Sequence, residues 1–217
     1  ERYELREGPL YHFEINRREF VQLLGAGLVI SVASPVAFAQ RGGNARPVGL
    51  AERLHIGTDG LIAVLTSKVE VGQGSRTELT QAAAEELRVP VERVRMIMAD
   101  TAVVPDDGGT AGSRTTPASV PAIRKGCAGA RQLLLETAAT VFNVEAKNLS
   151  VRDGKVKGLG AGQQFGYADL AGEKHAPSLK REVPSGITIV PVSEWRVLGT
   201  SVPRVEAREI VTGAHRF

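Results

Sequence analysis

The sequence predicts an α+β fold: a small mixed sheet with two main helices, preceded by an apolar leader helix and followed by an extended connecting segment. Three observations predict it. Strand-like apolar runs alternate with runs of helical period between about residues 50 and 170, in the order β–β–α–β–α–β–β. Glycine-rich turns punctuate those runs, and no internal repeat is visible. One long uncharged stretch stands apart near the start, while Pro177, Pro184, Pro191 and Pro203 break up the region around Trp195 near the end.

The leader comes first. Asn16-Arg17-Arg18-Glu19-Phe20 leads into an apolar run over residues 20–39 that closes with Ala37-Phe38-Ala39. An arginine pair, an apolar stretch and a small-x-small site read as a twin-arginine export signal, which predicts a periplasmic location or attachment to the cytoplasmic membrane. Residues 23–39 supply 17 uncharged positions, two of them serine and one proline, just short of the about 20 that a spanning helix needs. The flanking charge runs against export: four arginines meet five glutamates in residues 1–22, where a signal is positive. Residues 40–47 are a polar, glycine-containing linker. The expected organisation is a leader and linker over 1–46, an α+β domain over 47–172, and a connector over 173–217.

Within the domain, Leu54-His55-Ile56 and residues 61–66 flank a Gly57-Thr58-Asp59-Gly60 turn, a strand–turn–strand signal. A loop through Gly72-Gln73-Gly74 follows. Ser75 and Glu78 have the spacing of a capping box. Leu79, Ala82, Ala83 and Leu87 then recur at helical spacing until Pro90. Val94, Met96 and Met98 alternate as a strand. A long loop over 99–116 precedes a second helix that starts near Thr116 or Ser119. On it, Val120, Ile123, Cys127, Ala130, Leu134, Thr137 and Val141 form one stripe, which makes Cys127 a core residue rather than a nucleophile. Leu149 to Val156, with Asp153-Gly154 at its centre, is a hairpin.

Composition excludes several chemistries. Net charge is only +3 and aromatic residues are 5%, so a nucleic-acid partner is not expected. One cysteine and four scattered histidines cannot make a disulfide framework, a Cys₄ zinc site or an iron–sulfur cluster. Glycine is informative instead, at 24 residues. Two glycine-rich loops each run into the start of a predicted helix, where free N–H groups and the helix dipole favour an anion. Gln73 can donate and accept, and Ser113, Arg114 and Thr115 add donors to the second loop. Gly72-Gln73-Gly74 lacks the third glycine of a dinucleotide fingerprint, and no Gly-Lys-Ser/Thr follows to make a P-loop.

Four stretches, in order, carry a resemblance: Lys68-Val69-Glu70-Val71-Gly72-Gln73-Gly74-Ser75-Arg76-Thr77; Glu85-Glu86-Leu87-Arg88-Val89-Pro90; Asp100-Thr101; and Gly109-Thr110-Ala111-Gly112-Ser113-Arg114-Thr115-Thr116. Together they resemble the molybdenum hydroxylases, the xanthine-oxidase-related family. The likeness is strongest to large subunits of the isoquinoline 1-oxidoreductase and membrane-bound aldehyde dehydrogenase type. The resemblance implies that Gly72, Gln73, Gly74, Gly112, Ser113, Arg114 and Thr115 line a molybdopterin cofactor of the cytosine dinucleotide type. It implies hydroxylation of an electron-poor carbon in an aldehyde or N-heterocycle. The implied partners are the remainder of a large subunit, a small [2Fe-2S] subunit holding the iron–sulfur clusters, and a cytochrome c acceptor.

Val202-Pro203-Arg204-Val205 and the residues after Ile210 look like the lead into that family's main body. The family's general-base glutamate is expected there, so no catalytic residue and no metal ligand is assigned on this chain, which alone should be inactive. Glu70, Glu85 and Glu86 read as loop or solvated residues. The alternative is a non-catalytic exported or anchored α+β module that keeps the scaffold without binding cofactor.

Overall fold

The computed structural model describes residues 28–30, 54–158, 164–172 and 186–215. The predicted leader helix falls outside these residues except at Leu28–Ile30, and there the chain is strand β1. It pairs antiparallel with β2 (Leu54–Ile56) in the register Leu28↔Ile56. Within the long apolar run, β-branched Val29 and Ile30 suit a strand as well as a helix, and pairing with β2 decides it.

The first sheet has the order β1-β2-β3-β4. A turn held by the Asp59 carboxylate, which accepts the Leu61 N–H at 2.9 Å, joins β2 to the antiparallel β3 (Ile62–Thr66). All five residues of β3 are buried, as their continuous apolar run requires. Helix α1 (Ser75–Leu87) then crosses over to β4 (Val94–Met98), which lies parallel to β3. Arg88 closes α1 in the left-handed conformation and returns its N–H to Ala84 and Glu85, just ahead of Pro90.

The second main helix, α2 (Val120–Phe142), is entered through a π-helical turn at Thr115–Ser119. Pro121 lies in its first turn, where no N–H is needed, so the helix tolerates it. The predicted stripe is the buried one: Ile123, Cys127, Ala130 and Leu134 are at most 2% exposed. They meet Leu79, Ala82, Ala83 and Leu87 of α1, all at 0%. The small residues on both helices let the backbones come close, which leaves little room for added volume.

A second sheet, β5-β6-β7 (Leu149–Arg152, Lys155–Gly158, Gln164–Gly166), leads into the short helix α3 (Tyr167–Ala171). Asp153 and Gly154 both take positive φ, the turn that the sequence pair predicts. Gly154 donates its N–H to Arg88 O, and the buried Tyr167 hydroxyl donates to Leu87 O at 2.9 Å. Burial pushes the Tyr167 phenol well above its usual range, so it remains a donor. The second sheet is thereby fastened to the C-terminal end of α1, leaving the N-terminal ends of α1 and α2 for the glycine loops.

Residues 186–206 form a strap across α1 and α2, mostly without regular structure, followed by helix α4 (Ala207–Val211). Val190 is 3% exposed, and Ile187, Val197 and Leu198 pack against the core.

Two glycine loops stitched at the helix N-termini

The chain leaves β3 directly into the first glycine loop and leaves β4 into the second, so the parallel pairing puts both loops at one end of the sheet. Side chains from the end of β3 join them. Thr66 Oγ1 donates to Asp107 Oδ2, and the Ser67 N–H to Asp107 Oδ1, both at 2.8 Å. The Lys68 ammonium, only 6% exposed, donates to the carbonyls of Asp107, Gly108 and Gly109 at 3.1, 2.8 and 2.9 Å. Val69 N–H reaches Thr110 Oγ1 at 2.7 Å. One buried cation thus gathers three carbonyl dipoles and fixes the approach of the two loops.

The first loop differs from expectation at its helix cap. No capping box forms: Gly74 precedes α1 in the left-handed conformation, and no side-chain cap is present. Instead Glu70 reaches in from four residues ahead of the cap. Its Oε1 accepts the N–H groups of Gly72 (2.8 Å) and Gly74 (3.0 Å), while Oε2 accepts Arg76 N–H (2.8 Å) and the Ser75 hydroxyl (3.2 Å). A full carboxylate at the positive end of the helix satisfies more donors than a serine could. Burial alone would raise its pKa, but the three N–H donors and the Arg204 guanidinium outweigh it and hold the carboxyl below its usual value. The α1 N-terminus therefore already carries an anion, the Glu70 carboxylate, on its Gly74 and Arg76 N–H groups.

Gln73 is exposed, and its amide ties its own loop. Oε1 accepts Val71 N–H at 2.7 Å, and Nε2 donates to Val69 O at 2.7 Å and Ser75 Oγ at 3.0 Å. Both amide hydrogens are used, which leaves one acceptor lone pair for a ligand. Gly72 and Gly74 have φ of 103° and 80°, with open space where a side chain would project.

The second loop is more available. Gly112, Ser113 and Arg114 are exposed and Thr115 is half-buried. Ser113 has φ of 55°, an unfavourable conformation for a residue with a side chain. The turn that starts at Thr115 has no side-chain cap, so its first N–H groups point out of the helix. Cys127 is buried, and that burial together with the Glu86 carboxylate pushes its thiol far above the usual range.

Glu85 and Glu86 overturn the solvated reading, being 1% and 0% exposed. Glu85 Oε2 accepts the N–H groups of Arg196, Val197 and Leu198 at 2.8, 2.7 and 3.0 Å. Glu86 accepts Val190 N–H and Arg124 Nε (2.8 Å) and lies beside Arg131. Burial raises its pKa, and the Val190 N–H and the two guanidiniums pull it back only in part. Arg124 also donates to Val190 O and lies 5.4 Å from the Trp195 ring. These contacts hold the strap. The strap partners of Glu85 and Glu86 lie more than a hundred residues away in sequence, and an adjacent pair of glutamates on a helix is the one available signal.

Among the described residues no three His, Cys, Asp or Glu side chains could together hold a metal ion, and no helix is long and apolar enough to cross a membrane.

Known proteins share this arrangement of sequence. The family model of the molybdopterin cofactor-binding domain matches residues 9–200. A nicotinate dehydrogenase subunit of Pseudomonas putida is 32% identical over 76% of the chain. The xanthine dehydrogenase molybdenum-binding subunit of Escherichia coli O157:H7 is 35% identical over 52%, and the beta subunit of isoquinoline 1-oxidoreductase from Brevundimonas diminuta is 31% identical over 58%. The matched segments span 14%, 16% and 17% of those relatives. With its family match running through both glycine loops, the chain belongs to the molybdopterin cofactor-binding domain family of the molybdenum hydroxylases.

Proposed function

We propose that this chain supplies one wall of a molybdopterin site in a hydroxylase or dehydrogenase that oxidises an aldehyde or N-heterocycle. The observation that carries the reading is the parallel β3–β4 pairing, from whose same end the two glycine loops leave, with Lys68 joining the start of the first loop to residues 107–109 of the second. The donor chemistry suits the group. Ser113, Arg114, Thr115 and the uncapped turn behind them offer a cation, hydroxyls and N–H groups to the phosphates of a dinucleotide form, cytosine dinucleotide in our reading. Gln73 can accept one hydrogen bond from the pterin, and the absence of side chains at Gly72 and Gly74 permits close approach.

When bound, the molybdenum cofactor supplies the two-electron redox chemistry. This chain's residues bind and orient it; none is assigned a proton-transfer role. The remainder of a large subunit, a small [2Fe-2S] subunit and a cytochrome c acceptor complete the proposed assembly, located in the periplasm or at the cytoplasmic membrane through the Arg17-Arg18 leader.

The test is the molybdenum and pterin content of the complete enzyme carrying Arg114→Ala or Gln73→Ala, measured beside the melting temperature of the cofactor-free protein. Loss of a hydrogen bond to a bound anion costs about 1.5–3 kcal/mol, so Arg114→Ala is expected to lower occupancy while the melt stays put. Gln73→Ala should lower both, because its amide also ties the loop. Unchanged metal and pterin in both variants would favour the non-catalytic module, whose support is the self-engaged Gln73 amide.

A further inference from the structure

We propose that Glu70 and Arg204 are positioning residues for the Gly72-Gln73-Gly74 loop, with Arg204 coupling the shape of that loop to the docked strap. The proposal rests on the reading of the loop as facing cofactor.

The loop needs support that packing does not give. Its two glycines hold positive φ, and Gln73, Gly72 and Val71 are exposed, so no apolar contact fixes the backbone. Hydrogen bonds must do so. Glu70 gathers the N–H groups of Gly72, Gly74 and Arg76 on one carboxylate whose side chain is 5% exposed. Arg204, from the far end of the strap, closes the arrangement from the other side. Its Nη2 donates to Glu70 Oε1 at 3.1 Å, and its Nη1 to the Gly72 carbonyl at 3.2 Å. The guanidinium thus holds both the residue that organises the loop and the loop backbone itself, a two-point contact that suits a planar fork and not a point charge.

Arg204 is itself oriented. Its Nε donates to Glu206 Oε1 at 2.9 Å, and Glu206 is 4% exposed. The adjoining Val205 N–H donates to Thr77 Oγ1 at 3.1 Å, in the first turn of α1. Glu85 and Glu86 anchor the preceding strap to the other end of the same helix. Strap, α1 N-terminus and glycine loop therefore form one hydrogen-bonded unit, and the loop's conformation depends on a segment some 130 residues away.

Amide hydrogen exchange in the full chain tests this, measured by NMR for wild type, Arg204→Met, Arg204→Lys and Glu70→Gln. Hydrogen bonds to charged partners predict about ten- to hundredfold faster exchange at Gly72, Gly74 and Arg76 in Arg204→Met. Arg204→Lys should restore part of the protection, and the buried Leu133 and Leu134 amides of α2 should not change. Unchanged exchange at the three loop amides in Arg204→Met and Glu70→Gln would overturn the proposal. Equal acceleration at Leu133 and Leu134 would also overturn it, because the role would then be merely structural. Should Glu70→Gln fail to fold, Arg204→Met, with its side chain one-third exposed, carries the test alone. These readings need no cofactor, so their failure is distinct from unchanged molybdenum content in Arg114→Ala.

Discussion

Replacing Glu85 by alanine probes the strap most sharply. One carboxylate oxygen accepts three consecutive N–H groups, from Arg196, Val197 and Leu198, at a side chain that is 1% exposed. A hydrogen bond to a charged acceptor contributes about 1.5–3 kcal/mol. Three donors share one oxygen, so the sum is smaller than three such bonds, and undocking of the strap would let water reach the donors and limit the loss. The expected cost is about 3–4 kcal/mol, consistent with removing one partner of a buried charged set. In a chain of this size that lowers the melting temperature by roughly 10 °C. Glu85→Gln keeps an acceptor for the strap but turns an amide N–H₂ toward Arg88, which donates to the other oxygen in the wild type. Its cost should be about 1–2 kcal/mol. Thermal melts give the ranking, and limited proteolysis within residues 190–200 reports whether the strap has lifted. A Glu85→Ala protein with the wild-type melt and a protease-resistant strap would refute the reasoning.

Three further outcomes follow from the same geometry. Because the folded Glu70 carboxyl lies below its ordinary value of 4.5, its contribution is present above about pH 4.5 and lost as pH falls through the folded pKa, so protection of the Gly72 and Gly74 amides should fade only in that acid range, with Arg204 and Glu206 as the charged neighbours. Cys127 should stay unreactive toward thiol reagents in the native protein and react at once in denaturant. Gly154→Ala should cost about 1–2 kcal/mol by thermal melt, since φ there is 71° and the added carbon would lie 3.1 Å from Val89 Cγ1.

Local signals in the sequence carried the elements whose causes are local. The continuous apolar run of β3, the helical spacing of Leu79 and Leu87, and the Asp153-Gly154 turn each depend on near neighbours, and each stands where its pattern places it. The two loops of the candidate site are visible in the chain, each ahead of a helix, and the β3–β4 pairing that puts them at one end of the sheet is not. What escaped were long-range partners. Ser75 and Glu78 have the right spacing for a cap, yet Glu70 competes from outside the helix with a full charge and takes the donors instead. Glu85 and Glu86 look like a solvated helix face because their strap partners lie more than a hundred positions away. Leu28–Ile30 became a strand for the same reason: within the apolar run, these residues pair with β2, a partner that the local pattern does not reveal.

Everything proposed for the site depends on the Gly72–Gly74 and Gly112–Thr115 loops forming a single cofactor wall. Hydrogen-exchange mass spectrometry on the complete enzyme, with and without its molybdenum cofactor, tests that most directly. Cofactor is expected to protect peptides covering both loops together while those covering the β5–β6 hairpin are unaffected. Protection absent from both loops, or confined to other parts of the enzyme, would contradict it.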